Sequence, residues 1–202
     1  MCLHIQSSAP AYIHKGSNSN MVISLDNELL AKRIIMIDGE ISEETAKNVF
    51  LSMDYLRMTD DPIKMIIYSG GGSVNAGQLI YDLMQGCRNE IHTYCIGTAA
   101  SMAATLLAAG TKGHRYILPH SQVMIHEVLI SNGVGGSATS ITKLSQSINE
   151  TRDIMNGILA KHTGKTVEEI NEATSFDNYM TAQQAVEFGI CDKIITNIFE
   201  EV

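Results

Sequence analysis

Four short segments of this sequence carry residue types suited to covalent chemistry. At 69–73, Ser69-Gly70-Gly71-Gly72-Ser73 joins an apolar, β-branched run to a segment of helical periodicity. Glycines at such a junction expose backbone N–H groups at a helix start, where an anion or a developing oxyanion is stabilised. No Lys follows the glycines, so the loop is not a Walker A cradle, and the spacing fails the dinucleotide fingerprint. At 97–104, Gly97-Thr98-Ala99-Ala100-Ser101-Met102-Ala103-Ala104 sets a hydroxyl among small residues at a second strand-to-helix junction. Small neighbours let a substrate backbone approach Ser101, and the helix dipole favours negative charge there. The segment is not the G-x-S-x-G elbow of α/β-hydrolases. His126 ends the apolar run Val123-Met124-Ile125 and opens a polar, glycine-rich loop, a rigid but accessible place for a general base. Asp177, in Ser175-Phe176-Asp177-Asn178-Tyr179-Met180, stands just before a capped helix and could orient a histidine. Taken singly, each signal fits a plain role better than a catalytic one: a tight turn, a helix-capping serine, one of seven histidines without catalytic duty, a turn aspartate.

The elements that must position these residues alternate. Strands are expected at 33–38, 64–68, 91–96, 115–118, 122–125 and 193–195, with a turn at 97–98. Ser42 before Glu43 and Glu44 marks a helix start, and apolar residues at Ala46, Val49, Phe50, Met53 and Leu56 recur at helical spacing. Helices are also expected over 76–87, 101–109 and, as one long element, 137–162. Thr166 with Glu169, and Thr181 with Gln184, fit capping boxes. Such alternation implies an α/β class with mainly parallel strands.

Composition bounds the function. The chain has 202 residues, 45% hydrophobic and 18% charged, suiting one domain with a substantial core. Residues 1–20 read as a flexible segment and 21–202 as that domain. With 14 basic against 22 acidic residues, a net charge of −8 and no Lys/Arg run, nucleic acid is not an expected partner. The cysteines at 2, 87, 95 and 191 form no C-x-x-C pair, and no histidine stands at finger-like spacing from two of them. No metal is therefore expected, and the pattern suits a reducing cytoplasm. The uncharged stretch 93–110 is too polar and too broken to be a membrane span and reads as a buried strand and helix.

Taken together, the segments resemble the ClpP family, the proteolytic subunits of ATP-dependent Clp proteases. The resemblance runs from about 29 to 195. It rests on Gly71-Gly72-Ser73-Val74-x-Ala76-Gly77-x-x-Ile80-Tyr81-Asp82-x-Met84-Gln85, Cys95-Ile96-Gly97-Thr98-Ala99-Ala100-Ser101-Met102, Leu106-Leu107-Ala108-Ala109-Gly110, Arg115-Tyr116-x-Leu118-Pro119, Val123-Met124-Ile125-His126 and Asp177-Asn178-Tyr179-Met180-Thr181-Ala182, in order. It implies that Ser101 is a nucleophile, His126 its general base and Asp177 the residue orienting that base. Backbone N–H groups of Gly72 and Met102 would form the oxyanion hole, with no cofactor. It further implies the ClpP/crotonase spiral of ββα units with a protruding handle helix. The implied assembly is a pair of stacked heptameric rings, in which unfolded polypeptides are cleaved. An AAA+ unfoldase of the ClpX, ClpA or ClpC type would feed that chamber.

The sequence departs from the family pattern at definable points. Gly70 replaces the usual Pro, and Val128 replaces the Pro two residues after the histidine. Ser175 and Phe176 replace an Asp-Arg pair at the ring–ring contact, and Ser137 and Ser140 replace its Gln and Glu partners. Residues 1–20 do not match the pore-lining segment. Two alternatives stand beside the endopeptidase reading: a mainly structural or regulatory subunit in a mixed ring with a second ClpP paralogue, and a dedicated processing protease without an unfoldase. A crotonase-type acyl-CoA enzyme shares the fold but has no use for a Ser–His–Asp set.

Overall fold

The structure, a computed structural model, describes residues 11–15, 20–130 and 135–201. Strands β1 (Ala11–Lys15) and β2 (Asn20–Ser24) pair antiparallel, and α1 (Leu25–Ala31) follows with Ser24 as its cap. The expectation of a flexible segment over 1–20 falls largely on residues outside the described ones. Helix α1 was not expected; it is short and has no buried residue, so no apolar periodicity announces it.

The domain is built on β3 (Ile34–Ile41), β4 (Ile63–Gly72) and β5 (Ile91–Ala100), paired parallel in that order. Burial alternates along β4, so that Ile63, Met65, Ile67 and Ser69 point into the core. Helices α2 (Glu43–Leu56) and α3 (Val74–Gly86) make the crossovers. Ser42 starts α2 through a capping box with Thr45, and Ala46, Val49, Met53 and Leu56 form its buried face. Phe50, grouped with them by its spacing, is instead exposed.

The uncharged stretch is the centre of the molecule. Every residue of α4 (Met102–Ala108) is buried, which explains why only small, aliphatic and hydroxyl residues occur there. The turn expected at 97–98 does not end the strand. Gly97 takes φ +71, a left-handed conformation that glycine adopts without strain, and β5 resumes to Ala100. The bend divides β5 between two partners. Its first half pairs with β6 (Arg115–Ile117), through Thr93↔Arg115 to Cys95↔Ile117. Its second half pairs with β7 (Gln122–Ile125), through Thr98↔Gln122 to Ala100↔Met124.

Further along, α5 (Ala138–Thr163) is capped by Ser137 and ends at Gly164 in the left-handed region. Only Met155, Asn156 and Leu159 of its 26 residues are buried, so its first half extends beyond the core and leaves Ile141 and Leu144 exposed. Both later capping boxes form as expected, on α6 (Val167–Thr174) and α7 (Ala182–Phe188). Between them, β8 (Asn178–Thr181) pairs antiparallel with β7. It was not expected, because four residues carry too little alternation to be read. Strand β9 (Lys193–Ile194) closes the sheet against β6, and α8 (Ile198–Glu201) follows. No helix among the described residues is long and apolar enough to cross a membrane.

One buried ion pair ties these layers together. Arg115, 1% exposed, gives Nε to Asp192 Oδ2 at 2.8 Å and Nη2 to Asp192 Oδ1 at 2.6 Å, and its Nη1 reaches the carbonyls of Ala108 and His162. Backbone N–H groups of Gly113 and Arg115 also donate to Asp192. Partial burial disfavours the Asp192 carboxylate, but the Arg115 hydrogen bonds and charge outweigh it and hold the group below its ordinary value. Removing one partner of a buried pair strands the other, so Asp192→Ala should cost about 3–5 kcal/mol in a denaturant titration. Because the folded-state pKa is depressed, the carboxylate's contribution is full at neutral pH and fades as acid takes the pH down through that pKa. The difference between wild type and variant should shrink accordingly.

Candidate active site

Ser101 occupies the corner between β5 and α4 at φ 55, ψ −123. For a residue with a Cβ that conformation costs of order 1–3 kcal/mol and persists only where its surroundings impose it. Here the Ser101 N–H donates to Met124 O at 2.8 Å, while its carbonyl accepts from Ala104 and Thr105 and starts α4. By position Ser101 is the N-cap of α4. Yet Ser24, Ser42, Ser73, Ser137, Thr166 and Thr181 all accept a capping bond from their helices, and the Ser101 side chain makes none. The plain reading of Ser101 as a helix-capping hydroxyl therefore fails.

The glycine loop closes over this corner. A Cβ on Gly71, which has φ +95, would lie 2.7 Å from Ser101 Cβ and 2.8 Å from Ala100 O. Any larger residue at 71 would displace Ser101. Gly72, at φ +151, presses against the backbone of Ile41 in the same way. Ser69, buried at the end of the inward-facing row of β4, donates to Gly39 O at 2.5 Å and accepts from Gly71 N at 3.0 Å, pinning the loop from beneath. Nothing in the Ser-Gly-Gly-Gly pattern marks Ser69 as more than a turn residue; its inward phase on β4 is the one signal that could have found it. Met102 lies on Gly77 of α3 so closely that a Cβ there would overlap its side chain.

His126 reaches the same place through β7. The pairing Ala100↔Met124 sets the end of β7 beside the Ser101 corner, and His126 follows two residues later. Ser101, His126, Gly72 and Met102 line one cleft of about 490 Å³. Its wall continues through Ile125, Met155 and Leu159, with Glu40 and Asn156 as polar members. Asn156 is buried and donates to Asn171 Oδ1 at 2.6 Å. Sequence reasoning missed Asn156, because a polar residue inside a long amphipathic helix reads as solvent-facing.

Asp177 is not part of this lining. The antiparallel pairing runs from Gln122↔Thr181 to Ile125↔Asn178, and His126 and Asp177 are the next residues along each chain, just outside the ladder. The Asp177 side chain is exposed and makes no hydrogen bond among the described residues. His126 Nδ1 is buried and has no hydrogen-bond partner among the described residues. The site thus brings the serine and histidine into one cleft and leaves the aspartate just beyond the β7–β8 ladder, unengaged.

Comparison with known sequences decides the family. Residues 17–198 match the Clp protease family. A relative from Ligilactobacillus salivarius (strain UCC118), named ATP-dependent Clp protease proteolytic subunit, is 41% identical over 190 residues, covering 93% of this chain and 95% of its own. The chain belongs to the Clp protease family. Its mixed α/β fold, with a mostly parallel sheet, is the one the resemblance implied.

Within this Clp protease family member one departure, Val128, lines the cleft, and Gly70, Ser175 and Phe176 are not among its lining residues. Gly70 is skipped by the β4 register on both sides, has no positive φ and has nothing within 4 Å of a Cβ built on it. Gly70→Pro is therefore expected to be tolerated and to stabilise the fold by about 0.4–1 kcal/mol through the unfolded chain, visible as a raised unfolding midpoint. If Gly70 also loosens the loop, that variant should hydrolyse peptides faster. Val128 and Leu129 border the cleft. Phe176 is 84% exposed beside Ser175, which spends its hydroxyl on Glu172 O.

Proposed function

We propose that this protease is a serine endopeptidase, with Ser101 as nucleophile, His126 as general base and Asp177 as the carboxylate that orients it. The observation that carries the reading is the strained Ser101 corner sharing one cleft with His126, with the buried Nδ1 of His126 unsatisfied among the described residues and Asp177 just beyond the β7–β8 ladder. A buried ring nitrogen without a partner is costly, and a carboxylate accepting from it would remove that cost. His126 Nε2 would then take the Ser101 hydroxyl proton as Oγ attacks a peptide carbonyl. The backbone N–H groups of Gly72 and Met102 would receive the oxyanion. His126 would return the proton to the leaving amine, and water would release the acyl-enzyme by the reverse roles.

The cleft supports a preference as well. Ile125, Met155, Leu159 and the Met102 side chain favour an apolar residue beside the scissile bond. The relative's name, an ATP-dependent protease subunit, supports feeding by an AAA+ unfoldase. The half-free α5 and the exposed Phe176 support assembly into stacked rings. One observation favours the second reading, a subunit that works mainly in a mixed ring: Asp177 is unengaged in the isolated chain. Both are tested by native mass and hydrolysis of a fluorogenic peptide with an apolar residue before the cleaved bond. Activity of the purified double ring supports the first reading. Activity only after mixing with a second family subunit supports the other, and none in either state contradicts both.

A further inference from the structure

Far from the catalytic cleft, the β5–β6 pairing assembles a group that the proposed peptidase chemistry does not use. His92 on β5 and His114, just before β6, are 22 positions apart in sequence. The parallel register Thr93↔Arg115, with Thr93 N donating to His114 O at 3.0 Å, makes them lateral neighbours. Their rings stack with centroids 4.0 Å apart and planes 3° from parallel. Glu90, two residues before His92, sets Oε2 at 3.2 Å from His92 Nε2 and 4.0 Å from His114 Nε2. Candidate donor atoms of all three residues lie within 4.8 Å of one another.

The geometry points to a divalent transition-metal site, of the zinc class, formed by His92, His114 and Glu90. Two imidazoles and one carboxylate are a borderline-soft donor set suited to such an ion, with a fourth position left for water. Bonds of about 2.1 Å require donors roughly 3.4 Å apart, so the His92–Glu90 edge is already of that length. Because a ring nitrogen binds a metal in the plane of its ring, the parallel rings must turn out of their stack to share an ion, a rotation open to side chains that are 38% exposed at His114 and 56% at Glu90. The outer contact is in place too. Tyr116 Oη lies 3.2 Å from His114 Nδ1, where it can accept that N–H and leave Nε2 unprotonated toward Glu90. Lys64, beside His92 across the β4–β5 ladder, acts against a bound cation, so binding should be weaker than at a closed four-ligand site. The cysteine and histidine spacings gave no hint of this site, because a strand register, not a local repeat, brings its ligands together.

The test is isothermal titration of the metal-stripped full chain with Zn²⁺, with cobalt absorption as a second readout. Wild type should take up one ion at this site, and His92→Ala/His114→Ala should lose it. Tyr116→Phe should weaken it by about tenfold or more, the usual effect of removing an outer-shell partner. The exposed Glu90→Gln and single His114→Ala variants guard against misfolding, and each should also weaken binding. No zinc uptake by wild type, or uptake unchanged in the double variant, overturns the assignment. Peptide hydrolysis does not enter the readout, so this inference and the proposed protease mechanism fail or stand separately.

Discussion

Ser101→Ala is expected to abolish peptide hydrolysis, with kcat falling on the order of 10⁶-fold, while the unfolding free energy stays within about 0.5 kcal/mol of wild type. The size follows from the chemistry. Without Oγ no acyl-enzyme forms, and the glycine loop and the Met102 N–H can only hold a carbonyl that nothing attacks. The small stability effect follows from the structure. The Ser101 side chain caps nothing, and the backbone bonds to Met124, Ala104 and Thr105 survive the substitution. A serine that merely built the corner would show the reverse pattern, with altered stability and retained turnover. Stopped assays on the purified variant, with its denaturant curve, separate the two.

Asp177→Asn is expected to give the second large effect, a loss of about 10³–10⁴-fold in kcat with little change in KM. An amide can hold the imidazole but offers the wrong partner for its Nδ1–H and no charge to stabilise the imidazolium. The exposed side chain in this structure makes the prediction a sharp one. If Asp177 engages His126 only when substrate or a neighbouring ring orders the segment before β8, the substitution should be silent for folding and severe for turnover. Unchanged kcat would leave His126 without its orienting group and would point to another carboxylate, of which Glu40 and Glu127 on the cleft wall are the first to replace.

How much of this was legible in the sequence can be judged residue by residue. The parallel α/β class followed from strand and helix alternation, and the capping boxes at Thr166 and Thr181 formed as read, because a cap is a local pattern of three or four residues. The strand over 91–96 was found but stopped too soon. Gly97 reads as a turn, and only the switch of partner from β6 to β7 shows why the chain bends and continues. That switch also places His126 beside Ser101, which no periodicity could reveal. The ordered family motifs singled out Ser101, His126 and Asp177, and residue types alone left each of them open to a structural role. What the motifs missed was support: Ser69 beneath the glycine loop, and Asn156 inside a helix whose outer half suggests a solvent-facing residue. These depend on which strand phase or helix turn meets the cleft, a tertiary fact.

The central claim, that Ser101 is activated by His126, is met most directly by an active-site-directed organophosphorus serine reagent with mapping of the adduct by mass spectrometry. The account predicts one stoichiometric adduct, on Ser101, formed quickly in the wild type and slowly or not at all in His126→Ala. Labelling of a different residue, or equal labelling of Ser101 with His126 removed, would contradict it.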